Sequence, residues 1–269
     1  MAQVLSYDMG SNYFTYNDTF GDLKFKHQQY YLEASHELLD APEEWFYDMD
    51  TKMLYLIMPD NAAACPETDE AVDVLRGRTL DNVLEIIECA DVTVANITFW
   101  ASNVIAEEGS NSGITLDSLV FKFPSSSHRM LQDEAYPKHT YINGDNNAVI
   151  NCTFEFSEGP ALVYEGSNVL VHNSEFILND WVGQGNFGTV HDGAKPGEFS
   201  HNSYMYNGDN VGFLDQGRNS NISFNHIESQ CWGFIKHDGS GIQVPSPGAQ
   251  NGVHISYNWI FRNIKSKCQ

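Results

Sequence analysis

The sequence predicts an all-β fold in which short parallel strands stack as a solenoid, and three observations carry that expectation. From residue 92 onward one phrase returns: a β-branched or apolar residue, any residue, Asn, two residues, then an aromatic or bulky side chain. It reads Val94-Ala95-Asn96-Ile97-Thr98-Phe99, Val149-Ile150-Asn151-Cys152-Thr153-Phe154 and Val171-His172-Asn173-Ser174-Glu175-Phe176, with Ser118 replacing Asn in Leu116-Asp117-Ser118-Leu119-Val120-Phe121. Weaker copies centre on Asn202, Asn225 and Asn258, so the positions are spaced by 22, 33, 22, 29, 23 and 33 residues, a base period near 22 with loops inserted in three repeats. Second, the runs alternate with period two, are rich in Val, Ile, Thr and Phe, and are separated by Gly, Asn, Asp and Ser. Third, helix signals are nearly absent after residue 90. A unit this short cannot bury its own apolar face, so copies must stack, each strand pairing in parallel with the next at about 4.8 Å.

Each part of the phrase has a physical reason. Asn at a tight bend tolerates the left-handed backbone region, and its amide can bond the equivalent Asn one repeat above and below. The seven positions are therefore expected to form one internal ladder, which buries the sequons at Asn96 and Asn151 and leaves them unglycosylated; two further sequons lie at Asn17 and Asn221. By the same register Phe99, Phe121, Phe154, Phe176 and Phe261 are expected to form an aromatic stack. Leucine-rich repeats share the period range and the Asn ladder, but they require L-x-x-L-x-L runs and a helix or turn per repeat, which this chain lacks. Upstream, two strands are expected to join through Asp48-Met49-Asp50-Thr51-Lys52, with Trp45, Tyr47 and Tyr55 packing. The chain thus divides into an N-terminal β-rich segment, 1–79, with a hairpin at 31–56, and a solenoid of about seven coils, 80–269, that reads as truncated because only eight residues follow Phe261.

Composition narrows the function classes. The 269 residues carry 36 acidic against 14 basic side chains, a formal charge of −22, with 42% apolar residues, 16 Phe and 13 Tyr, too much burial potential for a disordered polyanion. Such an acidic surface repels phosphate backbones and anionic membranes, so neither nucleic acid nor membrane is an expected partner. No apolar run is long enough to span a bilayer, and residues 1–7 lack the basic and apolar regions of a signal peptide. Cys65, Cys89, Cys152, Cys231 and Cys268 form an odd set without a C-x-x-C pair, which argues against structural zinc and against a dense disulfide framework.

Residues 80–269 resemble the right-handed parallel β-helix of the group related to pectate lyases, which includes polysaccharide lyases and β-helical glycoside hydrolases. A second marker is Leu38-Leu39-Asp40-Ala41-Pro42-Glu43-Glu44-Trp45-Phe46-Tyr47-Asp48 through Thr51-Lys52-Met53-Leu54-Tyr55, which is similar to the hairpin that precedes the helix in many such proteins. Glu43 stands where that pattern usually has Gly, which puts the geometry of that turn in question. The resemblance implies a secreted protein whose signal peptide has been lost by truncation and whose partner is a poly- or oligosaccharide. It leaves hydrolysis, calcium-assisted elimination and glycan binding without turnover as three readings, with hydrolysis favoured.

Candidate chemistry comes from stacking. Seven residues after the ladder position, consecutive repeats carry Glu158, Asp180 and Asp209. In register, neighbours would lie about 5 Å apart, a separation that suits a retaining glycosidase. The same three acids could instead form a calcium cage, the one metal site the sequence offers, or simply be solvated turns. Two loops, 179–193 and 230–243, add Trp181 and Trp232 as flat platforms, Gln184 and Gln243 as hydrogen-bonding groups, and two His-Asp-Gly triplets, His191-Asp192 and His237-Asp238. Asp215 and Asp238 both lie thirteen residues after a ladder Asn and are expected to be neighbours. Lys236 or His237 is the candidate base for elimination, with Arg218 the nearest arginine to receive a substrate carboxylate.

Overall fold

The computed structural model describes residues 4–8, 10–11, 13–17, 32–58, 77–80, 82–107, 110–125, 139–180, 189–192, 196–208, 211–212, 219–230, 241–243 and 252–262, with the backbone alone at 189–192, 211–212 and 243. One 3-10 turn, His36–Leu38, is the helical element among them. The strands are β1 (Val4–Tyr7), β2 (Phe14–Tyr16), β3 (Trp45–Asp48), β4 (Met53–Leu56), β5 (Asn82–Glu85), β6 (Thr93–Ala95), β7 (Thr98–Trp100), β8 (Asn103–Ala106), β9 (Thr115–Asp117), β10 (Val120–Lys122), β11 (Thr140–Asn143), β12 (Ala148–Ile150), β13 (Thr153–Glu155), β14 (Leu162–Glu165), β15 (Val169–His172), β16 (Glu175–Ile177), β17 (Thr189–Asp192), β18 (Gly197–Ser200), β19 (Ser203–Met205), β20 (Val211–Gly212), β21 (Asn221–Ser223), β22 (His226–Glu228), β23 (Ile242–Gln243), β24 (His254–Ser256) and β25 (Trp259–Phe261). Three parallel sheets take these strands in rotation. The first is β6-β9-β12-β15-β18-β21-β24, the second β7-β10-β13-β16-β19-β22-β25 and the third β5-β8-β11-β14-β17, while β20 and β23 form a parallel pair. An all-β chain of long parallel stacks is consistent with a β-helix solenoid. The other strands form antiparallel ribbons, β3–β4 within the same compact unit as the parallel sheets and β1–β2 in a unit of its own.

Bends keep most of the strands to three or four residues. Between the first and second sheets, Asn96, Ser118, Asn151, Asn173, His201, Phe224 and Tyr257 all adopt left-handed φ of 50 to 61°. Ala101, Phe123, Phe156, Leu178, Tyr206, Ser229 and Arg262 do the same at the second bend, where φ is 51 to 61°. At the third bend the stack is so close that a Cβ on Gly166 would lie 1.9 Å from the Gly144 carbonyl oxygen; with φ of +117°, this position requires glycine.

Strand pairing corrects the expected ladder. Thr98, Val120, Thr153, Glu175, Ser203, His226 and Trp259 lie in one cross-strand row. In that register Asn96, Ser118, Asn151 and Asn173 share a column with His201, Phe224 and Tyr257. Asn202, Asn225 and Asn258 fall one residue later, with Cys152 and Ser174, so the fourth spacing is 28 and not 29. A one-residue offset moves a side chain from one side of the backbone to the other. Asn96, Asn151 and Asn173 are accordingly exposed, against the expectation that both sequons are buried.

The inner column does the bonding. Asn202 Oδ1 accepts from the Ser174 N–H at 2.9 Å while its Nδ2 donates to the Val171 carbonyl at 2.9 Å. Asn225 treats Asn202 and Phe199 alike, and Asn258 treats Asn225 and Ile222 alike. A second inner ladder, which the sequence reading missed, runs along the second bend: Asn179 Oδ1 accepts from Ser157 N–H at 3.0 Å and Asn207 Oδ1 from Asn179 N–H at 2.9 Å. These amides satisfy backbone groups that the bends would otherwise leave buried and unpaired.

Between the ladders lies the core. Phe99, Phe121, Phe154, Phe176 and Tyr204 stack with successive ring centroids 5.0, 4.6, 5.0 and 4.9 Å apart. Phe261, expected in this stack, is displaced by the same one-residue offset: Ile260 takes the core register, and Phe261 lies beside Glu228 with its ring 5.2 Å from His226. Cys152, buried in this core, has its thiol pushed up to about 11 by desolvation and so stays protonated.

Candidate functional site

Long connections collect at one edge of the stack. Between second-sheet strands and the strand that follows each, residues 123–139, 178–188 and, before β23, 229–241 intervene, against only 101–102 in the shortest case. The residue after the second inner ladder forms a further column at this edge: Asn103, Ser125, Glu158, Asp180 and Gly208, all buried. Glu158 N–H donates to the Ser125 carbonyl at 3.2 Å, Gly159 N–H to Ser125 Oγ at 2.9 Å, and Asp180 N–H to the Gly159 carbonyl at 3.2 Å. Glu158 is 6% exposed and Asp180 0%, and they are the two acidic side chains buried among the described residues. Burying a carboxylate is costly unless it is paired or hydrogen-bonded, so two buried in consecutive repeats mark this edge, with Asp180 at a left-handed φ of 50° and reaching Gly159, one residue past Glu158.

Asp209, the third acid expected in that row, follows Gly208, the last residue described before β20. Gly208 follows Asn207 as Asp180 follows Asn179, and its N–H donates to the Asn179 carbonyl at 2.8 Å. Asp209 lies one residue further on, outside the described residues. So do Trp181, Gln184, Asp215, Arg218, Trp232, Lys236, His237 and Asp238.

His191 and Asp192 enter the third sheet through their backbone. In β17, His191 pairs opposite Tyr164 and Asp192 opposite Glu165, and Glu165 in turn pairs with Asn143. Asn143, Glu165 and Asp192 therefore occupy one register row, and Glu165 is half-buried. The sequence reading missed Asn143 and Glu165, although Val163-Tyr164-Glu165-Gly166 and Val190-His191-Asp192-Gly193 read as two copies of one phrase. Gln243 pairs through its backbone with Gly212 in β20.

Local electrostatics separate structural acids from candidate ones. The Asn151 amide at 3.0 Å and the Ser118 hydroxyl at 2.9 Å hold the Asp117 carboxyl below the usual range. Burial pushes the Tyr164 hydroxyl well above its ordinary range, with Tyr204 adding to the effect. Of the acids in the calcium alternative, Glu158 and Asp180 are described. Among the described residues no group of three His, Cys, Asp or Glu side chains is arranged to hold a metal. No family model matches the chain, and no curated protein or solved structure matches it either.

Proposed function

We propose that this is a secreted carbohydrate-active protein of the right-handed β-helix group that its sequence resembles, and that it hydrolyses glycosidic bonds at the second-bend edge. The observation that carries the reading is the Glu158 and Asp180 pair, the two acidic side chains buried among the described residues, in neighbouring repeats at that edge. Strands one repeat apart are separated by about 4.8 Å, close to the roughly 5–5.5 Å of the two carboxyls in retaining glycosidases. In this reading one carboxyl protonates the leaving oxygen while the other attacks the anomeric carbon; water then releases the sugar, and the first group acts as base. The row of Asn143, Glu165 and Asp192 supplies hydrogen-bonding groups for sugar hydroxyls, and Trp181 and Trp232 serve as platforms. With 14 basic residues against 36 acidic ones, the chain suits a neutral glycan better than a polyuronate.

The test is reducing-end release from a panel of neutral and acidic polysaccharides by the wild type, Glu158→Gln and Asp180→Asn, with folding followed by circular dichroism. Loss of a general acid or nucleophile is expected to cost at least about 10²-fold in each variant. Unchanged rates in both would sink the assignment. An unsaturated, ultraviolet-absorbing product would establish a lyase instead, and glycan binding with no product would establish a binding module.

A further inference from the structure

A second concentration of chemistry lies at the first bend, away from the acidic edge. His172 ends β15 opposite Ser200, the last residue of β18. His172 Nδ1 lies 3.0 Å from Ser200 Oγ, and Ser200, only 2% exposed, donates its hydroxyl proton to Glu198 Oε1 at 2.9 Å. With that proton committed to Glu198, Ser200 Oγ accepts from the imidazole, so Nδ1 carries the hydrogen and neutral His172 keeps its lone pair on Nε2. His201 follows at the bend, exposed, its ring centroid 5.0 Å from that of His172 and tilted by 59°. Beside it is a pocket of about 240 Å³ whose lining includes His201, Asn173 and Glu175.

We propose that His172 and His201 together bind a divalent transition metal of the Zn²⁺ or Ni²⁺ class. With metal–nitrogen bonds of about 2.0–2.1 Å and each ring centre roughly 1.2 Å behind its nitrogen, two imidazoles at a tetrahedral angle hold their centroids about 5.2 Å apart. The observed 5.0 Å is within a small adjustment of that value. The Ser200 and Glu198 chain is the outer-shell support that fixes the tautomer and orientation of a metal-ligating histidine. No third His, Cys or carboxylate completes a group here among the described residues, so water in the adjoining pocket fills the remaining positions. Asn173 Oδ1 is a further donor in the same bend column, since the Asn173 amide nitrogen is spent on Asn151 at 2.8 Å. Imidazole donors select this class over calcium or magnesium, which take oxygen ligands.

Calorimetric titration of the full chain with Zn²⁺, and with Ca²⁺ as comparator, tests the site. One saturable Zn²⁺ site is expected, weakened at least tenfold in His172→Ser and in His201→Asn and unchanged in His254→Ala. Ser and Asn are the residues that neighbouring repeats carry in those two columns, at Ser200 and Asn173, so the fold is kept; equal melting temperatures check this. Ser200→Ala is expected to weaken binding less than loss of either imidazole. No saturable Zn²⁺ site, or wild-type affinity in both histidine variants, overturns the proposal. This outcome is independent of glycan hydrolysis, which the assay of Glu158 and Asp180 reads.

Discussion

Asn173 and Asn202 occupy neighbouring columns of the same bend, and one residue of offset gives them opposite tasks. Asn173 sits in the left-handed position with φ of 50°, exposed, its amide bonded to Asn151. Asn202 is 1% exposed and holds two backbone groups, the Ser174 N–H and the Val171 carbonyl. Asn202→Ala should therefore strand both, at about 1–3 kcal/mol for each buried group. Asn173→Gly keeps the left-handed backbone and should change stability by less than about 1 kcal/mol. Urea denaturation of the two variants reads the difference; equal losses would contradict the two-column arrangement. The offset was illegible in the sequence because Asn suits both positions, once for its tolerance of left-handed φ and once for its paired donor and acceptor. The spacing that separates them, 28 against 29, hides in one inserted loop.

At the scale of the element, the β3–β4 hairpin shows which signals were legible. Its Asp-x-Asp-Thr turn was readable because the Asp48 side chain can cap the turn, and Asp48 Oδ1 does accept from Asp50 N–H at 2.9 Å and Thr51 N–H at 3.2 Å. Glu43, which stands where the resembled hairpin usually has Gly, keeps a glycine-like φ of 72°. The next residue anchors that turn, for Glu44 Oε2 accepts from Asp40 N–H at 2.8 Å and Ala41 N–H at 3.0 Å. Hydrogen bonds to Thr51, from its side chain first, hold the Asp48 carboxyl below its ordinary range, and the Asp40 and Ala41 amides do the same for Glu44. A depressed folded-state value means the contribution is present above the unfolded carboxylate range, near pH 4, and is lost as pH falls through the folded values. Carboxyl chemical shifts followed by NMR titration should give midpoints for both groups below those of the urea-unfolded chain. Midpoints equal to the unfolded ones would mean that the turns form without these bonds. The second-bend ladder, by contrast, was hidden because its acceptors Asn179, Asn207 and Gln230 share no single residue type, only the geometry of a side-chain oxygen facing the preceding repeat, and it ends on Ser157, which joins through its backbone N–H.

Over the whole molecule, stacking repeats about 4.8 Å apart packs a chain of net charge −22 closely enough for acids distant in sequence to repel one another. Glu165 and Asp192 pair through their backbones, and they show why the site was only partly legible: the acids are spread through the sequence, and only strand register reveals which of them fall in one row. Compensating ion pairs among the described residues are exposed at one end or both, such as Lys122 with Glu155 at 3.3 Å and Arg262 with Glu228 at 3.2 Å. Exposed pairs of this kind contribute about 0–1 kcal/mol each, so self-repulsion should dominate the response to salt. Raising NaCl from about 0.01 M to about 0.15 M shortens the screening length from about 30 Å to about 8 Å, which weakens repulsion between acids several repeats apart more than it weakens contacts at 3 to 4 Å. The melting temperature should therefore rise across that range and then level off. A falling melting temperature would mean that the ion pairs outweigh the repulsion.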